Sequence, residues 1–331
     1  MRQLDEREIR LITSITQEQL KPLDPTCRTV VLNLSAPVAN AEYALVAELL
    51  KERPDVMFMI QSVPDLRLDF LKFFPFLRRV LIGLYELESL DGLTYLADSL
   101  EYLQICGTKK KLSLRFLEQL KLLKRLYMEG QTKHFDSVGL LERLVWLDLR
   151  STTLENVSSL IPLRNLRKLE FTLGNTTNLS HLPELPELRY LGLTQVSQLR
   201  DLSFVSELTE LRYLLLHNLN KVETLPSFSK LSKLRWVYIE SLKSVHCLAP
   251  ITEAPSLEQI VFVNMPQLTP NDFEVFVGHP RLQSAAVGLC SHVKNEQAQQ
   301  ILGLSTDVQK RDPKRDSLDT FYTRNGEDIL R

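Results

Sequence analysis

Cysteine is scarce in this chain, at four residues in 331. Cys27, Cys106, Cys247 and Cys290 lie far apart and form no CxxC pair, which argues against a disulfide framework or a cysteine-built zinc module. They read as reduced thiols in a cytoplasmic protein. A charge excess of one sign is also missing, since the formal net charge is -1. That excludes a dedicated nucleic-acid or anionic-membrane binder, which would be clearly basic. Long apolar runs are absent too, and none approaches the ~20 residues of a membrane helix. The start, MRQLDEREIR, has mixed charge and no apolar stretch, so no secretory leader is expected. The N-x-S/T matches at Asn33, Asn156, Asn175 and Asn178 are then read as accidental.

Catalytic signatures are missing as well. The sequence contains no HExxH, GxSxG, P-loop or GxGxxG. The six histidines are scattered, and none has a metal-site spacing to cysteine. His246 beside Cys247 is the nearest approach to a Cys–His pair, but adjacent residues in extended chain point apart. His134 and Asp136 could share a face, and a solvated loop pair is the simpler reading. We therefore expect no catalytic residue, no metal and no cofactor.

What the chain does have is a repeat. Leucine, two variable residues, an apolar residue, one variable residue and another apolar residue recur ten times. The copies run LRRVLI from Leu77, LEYLQI from Leu100, LKRLYM from Leu123, LVWLDL from Leu144 and LRKLEF from Leu166. They continue as LRYLGL from Leu188, LRYLLL from Leu211, LRWVYI from Leu234, LEQIVF from Leu257 and a weaker LQSAAV from Leu282. Successive first leucines are about 22 residues apart, inside the ~20–29 of a short strand-and-turn repeat. In each copy the two later apolar residues alternate with variable ones, as in a strand buried on one side. Such a strand cannot bury its apolar side alone, but a parallel stack shares one core. Between copies, leucines at spacing three, such as Leu179, Leu182, Leu185 and Leu188, suit 3₁₀ turns. Pro162, Pro183, Pro186, Pro226, Pro250 and Pro255 fall in those connectors and never in a strand segment.

These ten copies resemble the leucine-rich-repeat family, in the short ~22-residue class of phosphatase regulators and bacterial internalins. The resemblance covers residues 77–290. It implies an α/β fold of a specific kind: a right-handed solenoid of strands and 3₁₀ turns, with a curved parallel sheet on its concave face and helical caps at both ends. One feature departs from the family. Its usual Asn at the ninth repeat position is replaced by Tyr85, Thr108, Gln131, Thr152, Gly174, Val196, Leu219, Leu242, Met265 and Cys290.

The expected organisation is an N-terminal cap with irregular repeats over 1–76, repeats over 77–290, a cap helix over 291–304 and a polar tail over 305–331. Within the first segment, 29–34 and 56–61 read as strands, 41–53 as an amphipathic helix and 69–74 as a short helix. At the other end, 293–302 reads as a helix. Leu318, Phe321, Tyr322, Ile329 and Leu330 are apolar residues of the tail that could dock.

The variable strand positions, three, five and seven of each copy, should face solvent. They hold both tryptophans and five of the nine tyrosines, residue types that protein interfaces concentrate. Aromatics also suit strands on structural grounds alone, through cross-strand stacking. Interleaved charges favour a binding face. The candidate partner-binding residues are Tyr102, Arg125, Tyr127, Trp146, Asp148, Arg150, Lys168, Glu170, Tyr190, Tyr213, His217, Trp236, Tyr238 and Glu240, with Trp146 and Trp236 as the expected anchors. The implied function is a non-enzymatic scaffold that grips another protein, such as a toxin, effector or enzyme, on its concave sheet. A bacterial inhibitor or immunity protein is one form of it, and a regulatory or adaptor subunit is another. A rival class is an enzyme or ligand sensor with its site in 1–76. No nucleic acid and no membrane are expected as partners.

Overall fold

The computed structural model describes residues 2–5, 8–11, 23 and 25–308. It divides into two compact units, Met1–Arg150 and Ser151–Arg331.

The first unit holds β1 (Arg2–Asp5), β2 (Glu8–Leu11), β3 (Thr29–Asn33), α1 (Asn40–Lys51) and β4 (Met57–Ser62). β5 (Arg79–Ile82), β6 (Tyr102–Ile105), β7 (Arg125–Glu129) and β8 (Trp146–Arg150) follow. β1 pairs antiparallel with β2. From β2 to β8 each strand pairs with the next in parallel. Leu103 lies opposite Leu126, and Leu126 opposite Leu147. All three are buried, so the one-residue alternation read from the repeat is in phase. The connectors are 3₁₀ turns at Asp91–Leu96, Arg115–Gln119 and Phe135–Leu140. The segment expected as a short helix at 69–74 is also a 3₁₀ turn, Asp69–Phe73. α1 buries Tyr43, Val46, Ala47 and Leu50. Tyr43 stacks on Phe70 at 5.1 Å, and Phe58 meets Phe74 at 5.1 Å.

The second unit holds β9 (Lys168–Gly174), β10 (Tyr190–Val196), β11 (Tyr213–His217), β12 (Trp236–Glu240), α2 (Ala249–Thr252), β13 (Gln259–Val263), β14 (Ser284–Val287) and α3 (His292–Leu302). Its strands again pair in chain order and in parallel. Leu191, Leu214, Val237 and Ile260 form one buried row, and the connector leucines Leu182, Leu185, Leu202 and Leu208 close the other side of the core. α3 starts at Ser291, whose Oγ accepts from the Lys294 N–H, and stops at left-handed Gly303. The chain then runs back along the sheet edge, where Ser305 bridges Ser284 in parallel and the Ala285 N–H donates to the Ser305 carbonyl at 2.9 Å.

The missing asparagines have a structural counterpart. The residue just before the ninth position is left-handed in seven successive copies: Gly130, Ser151, Leu173, Gln195, Asn218, Ser241 and Asn264. This kink follows the last strand residue in five of the copies and falls one residue before it in β9 and β10, although only some of these residue types favour it. At the ninth position Gln131 takes the polar role. Its Oε1 accepts from the Leu112 N–H at 2.8 Å, and its Nε2 donates to Thr108 Oγ1 at 2.7 Å. Val196, Leu219, Leu242 and Met265 are instead buried apolar plugs. At Gly174 a Cβ would lie 2.4 Å from the Thr152 carbonyl oxygen, so no larger residue fits.

Candidate functional site

Every candidate residue projects from the strand face opposite the leucine core, since each occupies position three, five or seven of its copy while positions four and six are buried. The parallel register aligns them in rows. In the first unit, Tyr102, Arg125 and Trp146 lie opposite one another, as do Gln104, Tyr127 and Asp148. In the second, Lys168, Tyr190, Tyr213 and Trp236 form one row, and Glu170, Gly192, Leu215 and Tyr238 the next.

The expectation that this face is open to water needs correction. Eight of the fourteen candidates are buried: Trp146, Asp148, Lys168, Glu170, Tyr190, Tyr213, Trp236 and Tyr238. Tyr102, Arg125, Tyr127, Arg150, His217 and Glu240 are half-buried. Asp148, expected to face water, is 7% exposed. Its Oδ2 accepts from the Trp146 indole N–H at 2.8 Å. Contacts two residues apart along a strand, stacking across strands and Val308 contribute to this closure.

In the first unit, guanidinium groups sit on aromatic rings, with Arg79 5.4 Å from the Tyr102 centroid and Arg125 4.9 Å from that of Trp146. Tyr102 Oη donates to Gln104 Oε1 at 3.2 Å. Arg150 pairs with Glu129 at 3.4 Å. The Tyr127 phenol is held well above its ordinary pKa, first by burial and then by the Glu129 carboxylate. The Cys106 thiol is raised by burial, partly offset by its contact with Gln104.

In the second unit the polar groups are more enclosed. Lys168, with 0% side-chain exposure, places Nζ 3.2 Å from Glu170 Oε2 and 5.1 Å from the Tyr190 ring centroid. Gly192 makes room for this trio, because a Cβ there would approach Glu170 Cγ to 2.9 Å and Tyr190 Cε1 to 3.1 Å. Trp236 stacks on Tyr238 at 5.6 Å and meets Tyr213 at 6.4 Å. Tyr238 Oη donates to Glu240 Oε2 at 2.8 Å, and His217 Nε2 lies 3.8 Å from Glu240 Oε1. Leu215, Val261 and Val308 complete one apolar cluster with these rings. Val308 was not a candidate. A lone valine in a polar stretch gives no periodic signal to find it by.

Among the described residues, no group of three or more His, Cys, Asp or Glu side chains could hold a metal ion. His134 Nδ1 is 2.8 Å from Ser113 Oγ, away from the strand face. No described helix is long and apolar enough to cross a membrane.

No known family profile matches the chain, and no curated protein matches its sequence. Solved structures match its fold. A leucine-rich-repeat protein of Leptospira interrogans aligns with a TM-score of 0.54 at 18% identity, over 85% of this chain and 71% of that one. A chain of the Toll–Spätzle complex of Drosophila aligns at 0.53 and 15% identity, over 78% of this chain and 33% of that one. An internalin of Listeria monocytogenes gives 0.48 at 14% identity, over 86% and 82%. The fold is that of the leucine-rich-repeat proteins.

Proposed function

We propose that this chain is a non-enzymatic scaffold that binds another folded protein on its strand face, the one the sequence marks as concave. One observation carries the reading: the face is built of aromatic rings capped by guanidinium groups and bordered by paired charges. Such rings supply large contact area with few rotatable bonds, and the charges supply electrostatic selectivity. The half-buried patch of the first unit, Tyr102, Arg125 and Tyr127, is where a partner makes first contact. Within this class we favour inhibition of a toxin or effector by occlusion, since a mixed-charge aromatic face suits covering a folded surface. The four cysteines are free thiols, which fits a cytoplasmic setting.

The test is affinity capture from the source organism with the intact chain as bait, followed by calorimetric titration of the captured protein. Tyr127→Ala or Arg125→Ala should weaken binding by about 2 kcal/mol, roughly thirtyfold in Kd. Ser229→Ala, on an exposed connector, should leave it unchanged. Folded face variants that bind at full strength would overturn the reading.

A further inference from the structure

The second residue of each copy lies one before its strand, at the edge where the strands begin. In the second unit that residue is arginine in four successive copies, Arg167, Arg189, Arg212 and Arg235, just ahead of β9, β10, β11 and β12. Their backbones are stacked directly. The Arg189 N–H donates to the Arg167 carbonyl at 2.9 Å, that of Arg212 to Arg189 at 2.8 Å and that of Arg235 to Arg212 at 2.9 Å. The four arginines are therefore rungs of one ladder, about 4.8 Å apart and roughly 14 Å from end to end.

The repeat does not require this. In the first unit the same position alternates in sign, as Arg78, Glu101 and Lys124, and Lys124 Nζ pairs with Glu101 Oε2 at 2.8 Å. Like charges on neighbouring strands repel, so an all-arginine edge costs the fold something that an alternating edge avoids. Glu187 accepts from Arg189 Nη2 at 2.9 Å. Glu258, on the next rung, lies 3.5 Å from Arg235 and ends the row. Donors remain on two adjacent rungs: Arg167 Nε and Arg189 Nε and Nη1 have no hydrogen-bond partner among the described residues. At the other end the Arg235 side chain is 49% exposed.

The planar guanidinium fork matches carboxylate oxygens with paired N–H bonds. An extended segment repeats its same-side residues about every 6.7 Å, so three acidic side chains span roughly the 14 Å of the row. A row this short, ended by a carboxylate, suits a few side chains of a protein. It does not suit a nucleic-acid backbone, whose binders carry a broader basic surface.

We propose that the arginine edge of the second unit binds an extended acidic segment of a partner protein, one with carboxylates at every second residue. This contact is separate from the strand-face binding proposed above and does not depend on it.

The test is fluorescence anisotropy of the full chain with a labelled peptide that alternates glutamate and threonine. Its glutamine counterpart and a labelled single-stranded oligonucleotide serve as comparisons. The glutamate peptide should bind, more weakly as salt rises, and the glutamine peptide should not. Arg189→Gln combined with Arg212→Gln should weaken binding about tenfold or more, as expected for two lost charge-assisted contacts. Glu258→Arg adds a rung and should tighten it. Arg78→Gln, at the same position of the first unit, and Tyr127→Ala, on the strand face, should leave it unchanged. Melting curves check that each variant folds, and if the double variant does not, Glu258→Arg decides alone. Equal binding of the two peptides, or no binding of either, would overturn the proposal. So would an affinity that the folded double variant or Glu258→Arg leaves unmoved, or an oligonucleotide that binds more tightly than the glutamate peptide.

Discussion

The two units carry the same strand pattern, yet their strand faces differ in kind. On β6 and β7 of the first unit, Tyr102, Gln104, Arg125, Tyr127 and Glu129 are all half-buried. On β9 to β12 of the second, Lys168, Glu170, Tyr190, Tyr213, Leu215, Trp236 and Tyr238 are buried. In both, the leucine side of each strand is closed. The repeat therefore specifies a core and leaves the opposite face free to diverge. One stretch of it stays a polar, partly wetted surface, while another becomes a second small core with an ion pair inside it.

That contrast can be broken at its strongest point first. Glu170→Ala leaves the Lys168 ammonium buried without its carboxylate and should cost about 3–5 kcal/mol in urea unfolding. Glu129→Ala removes the equivalent partner of Arg150 from a pair whose side chains are 31–39% exposed. It should cost about 1 kcal/mol or less. Similar losses at the two sites would erase the difference between the faces.

A smaller span separates the rings. Trp236→Ala should cost about 3–5 kcal/mol, as for a buried aromatic. Tyr102→Ala should cost about 1 kcal/mol, since a half-exposed ring buries less apolar area. Leu147→Ala and Leu191→Ala sharpen the comparison, because both lie on the leucine side and should each cost about 2–5 kcal/mol. A tryptophan variant as stable as the parent would mean that the second face is not a core.

Asp148→Asn tests where the change in character begins. Loss of the charged acceptor for the buried Trp146 indole should cost about 1–3 kcal/mol. A thermal shift within error would restore the expectation that Asp148 simply faces water.

The smallest effect is on pH. The Tyr127 phenol stays neutral in the fold at pH values where a tyrosine in the unfolded chain, with its pKa near ~10, has ionised. Stability from this group is thus complete below about pH 10 and falls as pH rises above it, by up to ~1.4 kcal/mol per pH unit. Tyr127→Phe should flatten that limb of the stability profile. An unchanged slope would remove the burial of the hydroxyl from the account.

Much of the fold was legible because it rests on period alone. Leucine spacing placed the strands of the ten copies, their parallel pairing and the 3₁₀ connectors, and the prolines marked where strands could not be. The rows of the face were legible too, since alternation decides which side a residue takes. Exposure was not legible. Lys168 and Asp148 look like solvent residues in a strand, and their burial depends on neighbours two residues or one repeat away and, for Lys168, on the space left by Gly192 beside its partners. The left-handed residue at the end of each strand was also hidden, because Leu173 and Gln195 are not types that announce it. The reading of 305–331 as a polar tail falls, beyond Val308, outside the described residues.

Oxidative footprinting of the intact chain, read tyrosine by tyrosine, tests the contrast between the faces most directly. Tyr85, 63% exposed, serves as the internal reference for an open ring. The expected result is that Tyr102 and Tyr127 are modified within a few-fold of Tyr85, while Tyr190, Tyr213 and Tyr238 react at least tenfold more slowly. Equal modification rates for the two groups of tyrosines would contradict the account.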